Sequence, residues 1–227
     1  MIAHPVAPSV TRDRRVATRA RRLALLVAAA GLAACSRGGG GDQEPVPKPT
    51  LPLPTAGIAG QPVAVYPLTL ITAEERLGWQ DQLADRHATL ARADSIIGAL
   101  LVERSPEVRW VLPAELRRAA ARAPGMLTNP DQMGTALLRG PEVERIPDPL
   151  RSQMRSLNGV AADRFALVPA ALIFRQAPDG RGSAELVLVM ADIRAGLIGW
   201  RTTARGEGDV PWEALRVAFR TLTPGLP

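Results

Sequence analysis

Apolar and polar positions follow different patterns along the 227-residue chain and divide it into three parts. Leu23 to Ala34 form a short apolar run (LALLVAAAGLAA) behind a cluster of arginines. Residues 36–61 carry no period and hold 11 Gly or Pro, so neither a helix nor a central strand fits there. From Pro62 onward, strand-like and helix-like periods alternate up to Pro227.

In that third part, Pro62 to Leu68 (PVAVYPL) reads as a first strand. Thr72-Ala73-Glu74-Glu75 has the spacing of a capping box and predicts a long helix to about Glu103. Leu83, His87, Leu90, Ile97 and Leu101 would be its inner face, with a longer gap over Asp94 that could mark a kink. Val108 to Leu112 is a short strand, and Pro113 suits the first turn of a helix over Ala114 to Ala123, stopped by Pro124-Gly125. Asn129-Pro130 and Asp148-Pro149 each predict an N-cap with proline behind it, opening helices over 131–138 and 149–157. Asn158-Gly159 is the expected C-terminal stop of the second. Arg164–Arg175 and Ala184–Asp192 read as strands joined by a turn around Pro178-Asp179-Gly180. Ala195-Gly196 turns the chain into Leu197–Thr203, and a last amphipathic helix runs from Pro211 to Leu222. This order predicts an α/β or α+β domain with a mixed sheet flanked by helices.

The first 34 residues read as a targeting segment. Arg12, Arg14, Arg15, Arg19, Arg21 and Arg22 form a cationic n-region before the apolar run. Twelve apolar residues are too few to span a bilayer as a helix, which needs about 20. The run ends in Leu32-Ala33-Ala34-Cys35, the lipobox pattern of bacterial lipoproteins, with cleavage after Ala34 and a diacylglycerol on the Cys35 thiol. The residues after Arg14-Arg15 fit the twin-arginine consensus poorly, which favours the Sec route. Ser36, rather than Asp, follows the cysteine and favours the outer membrane, facing the periplasm. Residues 35–61 would then be a lipidated cysteine on a Gly/Pro-rich tether, and 62–227 a single folded domain.

The leader changes what the charge means. The chain is formally +6, but residues 1–34 hold six arginines and one aspartate, leaving 35–227 near neutral at +1. Nucleic-acid binding is therefore not expected. With Cys35 the single cysteine, no intrachain disulfide or thiol chemistry is expected, and two histidines do not make a metal cage. No metal and no cofactor are expected. No G-x-S-x-G or G-x-G-x-x-G occurs, and Gly180-Arg181-Gly182 lies between strands, where no phosphate cradle forms. His87 reads as a helix-face residue without a nucleophile beside it. Arg117, Arg118 and Arg122 on one helix could hold an anion, although such runs are usually solvated faces. Of the four tryptophans, Trp212 near the last helix start is the choice for an exposed partner contact.

The phrase AELVLVMADIRAGLIGWR resembles a hairpin found in a group of bacterial envelope proteins. The group comprises the curli-secretion lipoprotein, a lipoprotein activator of a penicillin-binding protein, and the N-terminal domain of the Tol-system propeller protein. Asp192, Gly196 and Trp200 match its pattern, while Ala195 stands where threonine is usual. Physically, Gly196 allows the positive φ of a tight turn and Asp192 can accept from the turn backbone, so both roles are structural. The resemblance implies a Rossmann-like, non-enzymatic domain that contacts other proteins. The expected function is a lipid-anchored assembly or regulatory accessory binding another envelope protein. A small-ligand uptake lipoprotein is the alternative, and an envelope hydrolase the third.

Overall fold

In the computed structural model, residues 48–162 and 164–224 are described. The protein is an α/β domain. Its strands are β1 (Pro62–Val65), β2 (Ile71–Ala73), β3 (Arg109–Val111), β4 (Phe165–Gln176), β5 (Gly182–Asp192) and β6 (Leu197–Gly208). They form one mixed sheet in the order β3-β1-β4-β5-β6, with β2 also on β4. The helices are α1 (Gln80–Leu83), α2 (Arg86–Arg104), α3 (Pro113–Ala121), α4 (Leu150–Ala161) and α5 (Pro211–Arg220).

Both faces of the sheet are covered. One core joins Val63, Leu167, Leu186 and Leu188 of the sheet to α2 and α5 through Ile97, Leu101, Leu215 and Phe219. The other joins Ala64, Val168 and Val189 to α3 and α4 through Leu116, Met154 and Leu157. β4 is central, which explains its nearly unbroken apolar run. A bulge lies between Pro169 and Ala171, where the register with β5 skips Ala170. It reverses the alternation: Ala166, Val168 and Ala170 face the second core, Leu172 and Phe174 the first. Pro169 brings no amide proton, which suits an interrupted ladder.

Local signals held where no distant partner competed for the residues. α3 starts at Pro113 and ends before Gly125, whose φ is 82°. β4 and β5 are joined through Gly180 at φ 89°. β6 runs to Gly208, five residues past the expected end, because it pairs with β5 along its length.

Several expectations are corrected. The Thr72 capping box does not form: Ile71–Ala73 pairs with Leu172–Phe174 of β4, and the Glu74 side chain accepts from Gln176 N–H at 3.1 Å. The long helix begins instead at Asp85, whose side chain accepts from Ala88 N–H, and it runs unbroken past Asp94 to Arg104. His87 is exposed; the inner face is Thr89, Ala93, Ile96, Ile97, Leu100 and Leu101. The expected helix over 131–138 is two short 3-10 turns, Pro130–Gln132 and Thr135–Arg139, with Asn129 accepting from Asp131 N–H as the predicted cap. At the start of α4, Asp148 accepts from the Ser152 hydroxyl rather than capping the helix backbone. α4 continues through Asn158, which is fully buried.

The tether boundary also moves. Residues 48–61 pack on the domain: Leu53 and Ile58 enter the core, and Leu53 N–H donates to Leu222 O at 2.9 Å. The Thr50 hydroxyl donates to Thr203 O, and Arg205 to Lys48 O, both on the outer side of β6. An extended, proline-rich strap thereby shields an edge strand whose backbone would otherwise lie open. Residues 1–47, including the leader, Ala34 and Cys35, lie outside the described residues.

Candidate functional site

The strand order places the chain's reversal at β1. From there it passes through α2 to β3 at one edge, then through α3 and α4 to β4 on the other side. In doubly wound folds a ligand crevice opens beside such a strand, at its carboxyl end. Here residues 66–73 fill that place. Tyr66 N–H donates to Leu167 O, and Leu172 N–H to Leu70 O, so the chain stays on β4 until β2 forms. The Tyr66 ring is fully buried, and its hydroxyl donates to Asn158 Oδ1 at 2.8 Å. Burial pushes the phenol above its ordinary pKa. Asn158 Nδ2 donates to Phe165 O, so this amide links α4 to β4 and to Tyr66, the residue that follows β1.

A second polar cluster lies nearby, on the border of an open pocket of about 590 Å³ between α2 and α3. Asp94 of α2 accepts from Leu68 N–H at 2.9 Å through Oδ1 and from Arg117 of α3 at 2.7 Å through Oδ2. Arg117 also grips Asp131 with two nitrogens. Burial raises the Asp94 carboxyl above its usual range, against the pull of Leu68 N–H and Arg117. Sequence reasoning missed this cluster because Asp94 interrupts an apolar period; a charged residue on an inner helix face was the available signal.

The arginine trio therefore divides. Arg117 is committed to two carboxylates, whereas Arg118 and Arg122 are exposed and make no ion pair among the described residues. These two border an open groove of about 520 Å³ between α3 and α4. Val111, Ala119, Ala123 and Leu127 supply its apolar lining. Met126, 83% exposed, and Val160, 67% exposed, stand on it. Isolated exposed apolar residues are ordinary; these two stand on one groove of mixed polar and apolar lining.

The hairpin residues behave as expected of a turn. Asp192 Oδ1 accepts from Ala195 N–H at 2.9 Å, Gly196 N–H donates to Asp192 O, and Gly196 has φ 70°. Arg164 pairs with Asp192 at 2.7 Å, and hydrogen bonds from Arg164 and the turn amide hold its carboxyl below the usual range despite partial burial. Trp200 lies opposite Met190, half-buried against the first core. Replacing Gly196 with alanine is expected to cost about 1–2 kcal/mol through the left-handed backbone alone. Urea denaturation checks this, and an unchanged midpoint would mean that the turn relaxes. Trp212 is corrected: it is only 4% exposed, packed in the first core with Arg92 stacked at 4.8 Å from its ring. It offers no direct partner contact. Its position with Leu215, Phe219 and Leu222 follows helical spacing, so the core assignment was legible in the period.

Among the described residues no cluster of His, Cys, Asp or Glu has the makings of a metal site, and no helix is long and apolar enough to cross a membrane. The sequence matches no protein-family model and no curated protein. Among solved structures it is similar to two crystal forms of the PelC dodecamer from Paraburkholderia phytofirmans. Each is 15% identical with a TM-score of 0.35, over 78% of this chain and 94% or 92% of the PelC chain. A likeness at that TM-score carries no assignment.

Proposed function

We propose that this chain is a lipid-anchored protein of the bacterial envelope whose α/β domain binds another envelope protein as a non-enzymatic assembly or regulatory accessory. One observation carries the reading: the arginine-rich region, the short apolar run and Leu32-Ala33-Ala34-Cys35 follow one another in the order and spacing of a lipoprotein leader. The hairpin residues Asp192, Gly196 and Trp200 support kinship with the envelope group named above. Two acyl chains on Cys35 would suffice for stable anchoring, in the outer membrane facing the periplasm. The 12 residues between Cys35 and Lys48 allow at most about 40 Å of reach.

The accessory role draws support from the exposed groove beside α3. A small-ligand receptor and a hydrolase draw less. The crevice beside β1 is filled by the chain's own residues 66–73, and the buried carboxylate of Asp94 is tied to Leu68 and Arg117.

Metabolic labelling with an alkyne palmitate tests the anchor. The wild-type protein is expected to carry the label and sediment with membranes. Cys35→Ala is expected to lose the label and its processing. A variant that remains labelled would refute the lipobox assignment.

A further inference from the structure

We infer that the groove between α3 and α4 receives an amphipathic helical segment of the partner protein, one with carboxylates beside its apolar stripe. The inference rests on the accessory reading above and names the chemistry of the partner.

The shape argues for a helix. Two packed helices present a groove between their ridges, and a third helix can lay its own ridge into it. The nine residues of α3 rise about 13 Å, enough for two to three turns of a bound helix. The lining side chains at Ala119 and Ala123 are small, so a bound helix can approach closely. Met126 and Val160 offer apolar contacts at the rim.

The charge argues for carboxylates. Arg118 and Arg122 are one helical turn apart on the groove wall, and neither is paired among the described residues; Arg118 makes only a 3.4 Å contact to Ala114 O. Glu115 also lines the groove, but its carboxylate accepts from Leu112 N–H at the start of α3. A partner with Glu or Asp flanking an apolar stripe would meet two guanidinium groups against the single carboxylate of Glu115, which lies toward the N-terminal end of α3. A basic helix would face repulsion at the same two positions.

Two measurements on the full chain test this. In the first, a photo-crosslinking phenylalanine analogue replaces Ser156 at the groove or, for comparison, Arg220 on α5, in living cells. The Ser156 position is expected to capture a partner segment with apolar residues at helical spacing and adjacent carboxylates. Arg118→Glu with Arg122→Glu, both exposed and compatible with the fold, is expected to reduce capture about tenfold or more. In the second, a synthetic helix with leucines at i, i+3, i+4 and i+7 flanked by glutamates is followed by fluorescence anisotropy. It should bind the purified protein at least about tenfold better than its lysine counterpart, and the double charge reversal should invert that preference. Crosslinks into lipid, into a second copy, or into the chain's own residues 36–47 would overturn the inference, as would peptide binding indifferent to charge. Capture at Arg220 but not at Ser156 would refute the groove and leave the accessory reading standing. Capture at neither would refute both.

Discussion

Replacing Gly206 with alanine is expected to cost about 3 kcal/mol or more of folding stability, at the upper end of what overpacking does. Gly206 lies on β6 beneath α5. A Cβ there would sit 2.6 Å from the carbonyl carbon of Val217, 2.7 Å from Cα of Ala218, and closer still to the Ala218 amide nitrogen. All three atoms are backbone, so no rotamer change relieves the clash. The helix would have to lift from the sheet, and Leu215, Ala218 and Phe219, each no more than 1% exposed, would lose their close packing. Gly199 on the same strand is the control: a Cβ there meets only Met190 O at 3.9 Å. Gly199→Ala is expected to be neutral or slightly stabilising, since glycine within a strand costs about 0.5–1 kcal/mol. Thermal unfolding separates the two, with Gly206→Ala lowered by about 6–12 °C for a domain of this size. Equal losses at both positions would show that the approach of α5 is not the cause.

Asp94→Ala is expected to cost about 2–4 kcal/mol, and Asp94→Asn less than half as much. The Asp94 side chain is only 6% exposed and holds the Leu68 amide and Arg117 at once. Alanine leaves a buried N–H without an acceptor and removes one of the two carboxylates around Arg117. Asparagine keeps an oxygen for Leu68, while Asp131 still holds Arg117. The pH dependence has a definite sign. The folded-state pKa of Asp94 is raised above its ordinary 3.8. Its contribution to stability is therefore full below that value and is lost as pH rises through the folded value. The advantage of the wild type over Asp94→Asn should shrink between pH 4 and pH 7 in urea titrations. An advantage that grows over that range would mean that the pair with Arg117 outweighs burial.

These two positions show where sequence reading stopped. Gly206 reads as an ordinary strand residue, because nothing local says that a helix backbone lies above it. Asp94 reads as a break in an apolar period, because its partners at Leu68, Arg117 and Asp131 are remote in the chain. Asn158 reads as a helix stop, yet its amide was needed by Tyr66 and by Phe165 O, and α4 continued past it. Thr72 to Glu75 had the letters of a capping box, but pairing with β4 claimed Ile71–Ala73 as a strand. In α2 the inner face is built partly from Thr89, Ala93 and Arg104, residues that an apolar count passes over, so the phase fell on His87 instead. The candidate groove was legible only in part. Arg118 and Arg122 stood out as a charged pair, but their separation from Arg117 needed the positions of Asp94 and Asp131.

What the sequence determined by itself is the α/β class, those elements whose signals are local, and the distribution of charge. Periodicity, prolines and positive-φ glycines act over a few residues, so α3, α5 and the β4–β5–β6 meander could be placed from them. The concentration of positive charge in residues 1–34 is a plain count. The tertiary structure alone decided the inner face of α2, that β1 and β2 both lie on β4, and that residues 66–73 stay on β4 beyond β1. Those outcomes depend on hydrogen bonds and contacts between residues up to about a hundred positions apart, such as Tyr66 with Asn158, which no local pattern encodes.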